Sequence, residues 1–211
     1  MIDMQEKAKR IEQILEERYP EPACGLHWEG DPFRLLIMAI LSAQCSDATV
    51  NKVSKSLFRR FPNPKAMGDA SLEDIVEEIR SIGLTKNKSI ALKETSKRLW
   101  EVYGGVIPSE MEDLLSFRGV GRKVANLIRG DLFGLGGIVA DTHCIRISGR
   151  LGLSDGKNPL KTERNLEKLI PKEKQSDFCH RMVLFGREIC DARKPKCENC
   201  PLCEECVFVG E

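Results

Sequence analysis

Apolar residues recur every three or four positions along most of this chain, and no stretch shows the period of two that marks a half-buried strand. Met4, Ala8, Ile11 and Leu15 fall on one helical face, opened by Asp3 and Glu6 in a capping-box arrangement. Asp31 followed by Pro32 starts a second helix, whose apolar run Leu35 to Leu41 implies burial on all sides. Val50, Val53, Leu57 and Phe61 predict a third, stopped by Pro62. Ser71 with Asp74 caps a short one that carries Ile75, Ile79 and Ile82 and ends at Gly83. Lys88 to Val102 reads as another helix, closed by Gly104 and Gly105. Ser109 and Glu112 form an S-x-x-E box for a short helix ending near Phe117, and after a glycine turn a helix runs from about Arg122 to Phe133. Phe178, Met182, Phe185 and Ile189 line a late helix that leads into a cysteine-rich stretch. The fold class is therefore all-α, with Gly134 to Gly137 as the best interior boundary and no internal repeat.

A chain of 211 residues with 41% apolar content can bury one large core or two small ones, which excludes a disordered protein. The formal charge is +1, so a basic surface must come from local segregation. Lys86, Lys88, Lys93, Lys97 and Arg98, opposed only by Glu94, offer one. No apolar run approaches the roughly 20 residues a membrane helix needs, and the N-terminus has no signal core, so a cytoplasmic protein without a membrane partner is expected.

Nine cysteines are present, an odd number, and they crowd toward the C-terminus, which suits a metal site better than a disulfide framework. Cys190, Cys197, Cys200 and Cys206 follow the spacing C-x6-C-x2-C-x5-C, so one tight loop can gather four thiolates. Ligand chemistry alone allows tetrahedral zinc or an iron-sulfur cluster, with zinc ahead, and leaves Cys203 a bystander. Arg193, Lys194 and Lys196 surround Pro195 within the loop, either a basic finger or an ordinary solvated charge run. In Phe117-Arg118-Gly119-Val120-Gly121-Arg122-Lys123, the two glycines allow a sharp turn with exposed N–H groups, and the helix beyond presents its N-terminus to an anion such as a phosphate. Such turns also simply connect helices. A helix N-terminus and neighbouring Arg122 both disfavour positive charge on Lys123, and a neutral amine is a nucleophile. Read locally, Asp141 is the N-cap of a following helix, Gln44 a polar loop residue and Leu84 a stray apolar one.

Taken together these segments resemble the endonuclease III family of DNA glycosylases: the cysteine spacing, the hairpin ending in Lys123, Val139-Ala140-Asp141-Thr142-His143, and Leu41-Ser42-Ala43-Gln44-Cys45-Ser46-Asp47. The resemblance extends from the first helix to Cys206. It implies a helix-hairpin-helix glycosylase fold of two lobes, a helical barrel over residues 22–132 with the hairpin at about 109–133, and a cluster domain from 1–21 plus 133–211. It reverses the preference for zinc and implies a [4Fe-4S] cluster on the four cysteines. The implied function is a bifunctional DNA N-glycosylase that removes oxidised pyrimidines and cleaves the abasic site by β-elimination. Lys123 would be the nucleophile and Asp141, facing it across a cleft, its partner. Gln44 and Leu84 would fill the gap left by a flipped nucleotide, and Gly119, Gly121, Arg122, Arg193 and Lys194 would bind the backbone of double-stranded damaged DNA. A nucleoid-associated monomer is expected. For His143 and Arg146 a structural hydrogen bond or ion pair is at least as good a reading as substrate contact.

Several positions depart from the family's pattern. Phe117-Arg118 replaces Leu-Pro, adding a cation near the proposed phosphate, and Leu115 stands where an acidic residue is common. Adenine glycosylases carry a catalytic glutamate where Met38 stands, and thymine-mismatch glycosylases usually carry tyrosine in place of Lys123. A non-catalytic DNA-binding or redox-sensing relative, and a zinc-stabilised helical module, are the readings from other classes.

Overall fold

The computed structural model describes residues 3–208. Among them are eleven α-helices, three short 3-10 turns and no strand. The helices are α1 Met4–Arg18, α2 Pro32–Leu41, α3 Asp47–Arg60, α4 Pro64–Asp69, α5 Leu72–Ile79, α6 Thr85–Tyr103, α7 Met111–Leu115, α8 Arg122–Phe133, α9 Thr142–Arg150, α10 Pro159–Leu169 and α11 Gln175–Glu188. None is long and apolar enough to cross a membrane. The chain divides into two compact units, Cys24–Leu132 and Met1–Ala23 with Phe133–Glu211.

The Cys24–Leu132 unit is built around α2. Asp31 caps it by accepting from the N–H groups of Phe33 and Arg34, and Pro32 at its first position costs no intrahelical bond. Every residue from Leu35 to Leu41 is buried, so α2 forms the centre of a core to which α3, α5, α6 and α8 each turn an apolar face. Helix α6 buries Lys88, Leu92, Thr95 and Leu99, positions spaced as successive turns of one face.

In the other unit, α1 contributes Ala8, Ile11 and Leu15, α9 Ile147, α10 Leu166, and α11 Phe178, Met182 and Phe185. Helices α9 and α11 approach closely at Gly186, where a Cβ would lie 2.4 Å from His143 Nδ1 and 3.0 Å from Arg146 Nη2.

Some predicted ends moved. Asp3 does cap α1, through Gln5 N, but Met4 is 44% exposed and lies outside the core face. Ser71 caps α5 as expected, yet that helix stops at Ile79 and Gly83 lies beyond it. The Ser109–Glu112 box does not form. Ser109 is held outside the helix, its carbonyl accepting from Arg129 Nε at 3.2 Å, and α7 starts two residues later without a side-chain cap. Helix α6 begins at Thr85, three residues before the predicted start, behind a left-handed Leu84.

Candidate functional site

Within Cys24–Leu132, the turn between α7 and α8 is seated on α2 and α6. Gly119 has φ +84°, a left-handed conformation that L side chains rarely adopt, and a Cβ there would meet Ala91 Cβ and Ile40 Cγ2 at 3.1 Å each. Gly121 differs: its φ is not left-handed, and nothing lies within 4 Å of the position a Cβ would take. The turn needs one glycine rather than two. Phe117 is buried and packs edge-to-face on Tyr103, ring centroids 5.4 Å apart, and Thr95 Oγ1 donates to Arg118 O at 2.8 Å. Arg118 Nη1 reaches both carboxylate oxygens of Glu94 at 3.0 Å. The expected extra cation is therefore paired with the one acid thought to oppose the basic surface. Arg122 and Lys123 occupy the first two positions of α8 and are exposed.

Gln44 and Leu84 share a feature sequence reading did not anticipate. Both are exposed and both have positive φ, 53° and 61°, although neither is glycine. Such backbones are costly and persist only where the surroundings over-determine them. Bonded to both turns is Lys88, placed by sequence among the surface cations but 5% exposed. Its Nζ donates to Leu41 O at 2.9 Å and to Ala43 O at 2.7 Å, and burial lowers its pKa. The signal was available: Lys88 shares its helical face with Leu92, Thr95 and Leu99. The positive surface is also smaller than expected, since Lys93 donates to Ala70 O at 2.6 Å and Lys97 pairs with Glu101.

In the other unit, Asp141 is the N-cap of α9, Oδ1 accepting from Cys144 N at 2.8 Å. The cap leaves its second oxygen unused. Arg146, three residues after His143 on the same helix, lies 3.1 Å from His143 Nδ1 through Nη2 and donates to the carbonyls of Cys190 (2.8 Å) and Gly186 (3.3 Å). Arg146 is thus a structural brace between α9 and the end of α11. Arg150, at the last turn of α9, donates to Cys190 Sγ at 3.2 Å and to the carbonyls of Asp191 (2.7 Å) and Ala192 (3.0 Å). Neither arginine's tie to the cysteine loop was legible in the spacing.

The loop begins at Cys190, whose N–H bonds Phe185 O, and turns at Asp191, whose Oδ1 accepts from Arg193 N at 2.8 Å and Lys194 N at 3.2 Å. Those bonds lower the Asp191 pKa and shape the segment that exposes Arg193, Lys194 and Lys196. Short 3-10 turns at Cys197–Asn199 and Cys203–Glu205 complete it around the buried Leu202. Burial raises the Cys200 pKa, and the neighbouring thiols that add to the effect are Cys190, Cys206 and Cys197. Among the described residues no three of these sulfurs lie within 4.8 Å of one another.

Residues 37–172 match the HhH-GPD superfamily of base excision DNA repair proteins. The chain is 39% identical to an endonuclease III from Synechocystis sp. over 98% of its own length and 94% of the relative's. It is 37% identical to endonuclease III of Escherichia coli over 96% of each. Among solved structures it superposes on a non-covalent endonuclease III–DNA complex with a TM-score of 0.91 and 39% identity, covering 98% of this chain and 96% of that one. A trapped endonuclease III–DNA covalent intermediate matches equally well, with a TM-score of 0.91. A thermostable thymine-DNA glycosylase, TM-score 0.83 at 24% identity, shares the fold. With both its family profile and its near-full-length relatives in agreement, the chain belongs to the endonuclease III family of HhH-GPD base excision repair proteins.

Proposed function

We propose that this protein is a bifunctional DNA glycosylase and abasic-site lyase that removes oxidised pyrimidines from double-stranded DNA, with Lys123 as nucleophile. The observation that carries the reading is the position of Lys123, exposed on the first turn of α8 directly after a turn seated on α2 and α6. In the reaction, the damaged nucleotide leaves the stack and the Lys123 amine attacks the sugar C1′, displacing the base with its bonding electron pair. The nitrogen loses its proton as the sugar ring opens to a Schiff base. Loss of a C2′ proton then expels the 3′ phosphate. Asp141 assists by accepting the amine's proton and stabilising positive charge on the sugar. The cap bond supports this role by holding the carboxylate through one oxygen.

The backbone is held by the N-terminus of α8, Gly119, Gly121 and Arg122, and by Arg193 and Lys194 of the cysteine loop. Gly121 supports that reading, because neither its backbone angle nor its surroundings demand glycine, whereas an approaching phosphate does. Gln44 and Leu84 occupy the gap left by the flipped nucleotide.

Cys190, Cys197, Cys200 and Cys206 would hold a [4Fe-4S] cluster. What supports the reading is that Cys190, Cys197 and Cys206 all lie near enough to Cys200 to act on its thiol, so one loop gathers the four sulfurs. When bound, such a cluster cross-links the loop and is capable of one-electron chemistry; no step above passes through it.

Borohydride treatment of the protein with a panel of damaged duplexes tests the function. A covalent adduct on duplexes carrying an oxidised pyrimidine is expected. Base release without any trapped adduct would replace the reading with a monofunctional glycosylase.

A further inference from the structure

Gln44 and Leu84 lie 40 residues apart, yet both adopt the same disfavoured left-handed backbone. Lys88 touches the supports of both. It sits one turn after Leu84, its backbone N–H donating to Leu84 O at 3.0 Å. Its Nζ crosses to the end of α2, donating to the carbonyl of Leu41, the last residue of that helix, and to the carbonyl of Ala43, immediately before Gln44. The location is electrostatically specific. A cation in the first turn of α6 is opposed by that helix's own dipole, while carbonyls at the C-terminus of α2 attract one. The ammonium is therefore drawn across the gap between the two segments. Leu84 makes no side-chain cap bond, so the start of α6 is held by this bridge together with Thr85 Oγ1, which donates to Ile82 O at 2.6 Å.

We propose that Lys88 is a positioning residue. Its buried ammonium locks the Gln44 loop and the Leu84 turn into one preformed pair, so that both side chains are presented to the duplex at a set spacing. The inference rests on the gap-filling reading of Gln44 and Leu84 and adds the element that couples them. The strain at both residues is resolved in advance of binding, so DNA does not have to order the loop.

Lys88→Met keeps length and apolar volume but removes the three donors. Cleavage of a lesion in a duplex is expected to fall about 10–100-fold, the scale of a small misplacement, while cleavage of an abasic site in single-stranded DNA falls less than about 3-fold. In a Gln44→Ala/Leu84→Ala background, Lys88→Met is expected to cause no further duplex-specific loss, because its effect runs through those two side chains. Equal loss on both substrates, or full additivity with the double variant, overturns the proposal. If Gln44→Ala and Leu84→Ala leave duplex cleavage intact, the gap-filling reading falls and this proposal with it. Thermal denaturation accompanies each assay, and Lys88→Gln, which keeps one donor group, carries the same cycle if Lys88→Met does not fold.

Discussion

At the scale of single residues, the proposed chemistry divides between an amine and a carboxylate that substitutions can separate. Glutamine at Lys123 keeps much of the side-chain length and removes the proposed nucleophile. Borohydride trapping and strand cleavage should vanish, while duplex affinity, measured by gel shift, survives. A Lys123→Gln protein that still traps would assign the attack to another amine. Asp141 both caps α9 and faces a proposed catalytic role, and asparagine caps about as well as aspartate. Asp141→Asn therefore removes charge while leaving the helix start intact. Base release should slow by about 10²-fold, with a smaller effect on a pre-formed abasic site, where no base has to leave. Unchanged base release would leave Asp141 a cap and nothing more.

At the scale of elements, the hairpin's two glycines make opposite predictions. Gly119→Ala places a side chain at φ +84° and 3.1 Å from two core carbons, at a cost of about 1–2 kcal/mol or more. For a chain this size that corresponds to a melting temperature lowered by roughly 2–8 °C. Gly121→Ala meets no neighbour and no backbone penalty, and should hold or raise stability by about 0.4–1 kcal/mol through the unfolded state. It should nonetheless weaken duplex binding, since the Cβ would stand where the proposed phosphate contact brings DNA against the backbone. Stable Gly121→Ala protein with normal affinity would dissociate this turn from DNA. For the cysteine loop, protein purified without oxygen should carry about four irons per chain. Cys197→Ser should lose iron and Cys203→Ser retain it; equal loss would show a different ligand set. Stoichiometric zinc without colour would reject the cluster.

For the whole molecule, a formal charge of +1 leaves little overall attraction to a polyanion, so affinity must rest on a few local cations. Pairing removes several of them, as with Arg118 on Glu94 and Lys97 on Glu101. On the proposed reading, the exposed loop cations therefore carry disproportionate weight. Lys194→Ala should lower affinity for all duplex sequences alike and flatten the dependence of log K on log salt by about 0.9, the value of one lost phosphate contact. An unchanged slope would take the loop off the DNA.

What was legible in the sequence was what is local along the chain. Helical periodicity located most of the helices, though neither α4 nor α10, Asp31, Ser71 and Asp141 act as N-caps, and motif spacing identified the family, because each depends on residues within a few positions of one another. What escaped it depends on partners distant in sequence. Ser109 lies outside α7 with its carbonyl bonded by Arg129, Met4 falls outside the core, and Arg118 is claimed by Glu94. Lys88 is the sharpest case: by composition it is one more surface cation, and only the end of α2, 47 residues away from it at Leu41, makes it a buried bridge. A charge's role is set by the carbonyls and carboxylates packed around it, and tertiary structure alone decides which those are.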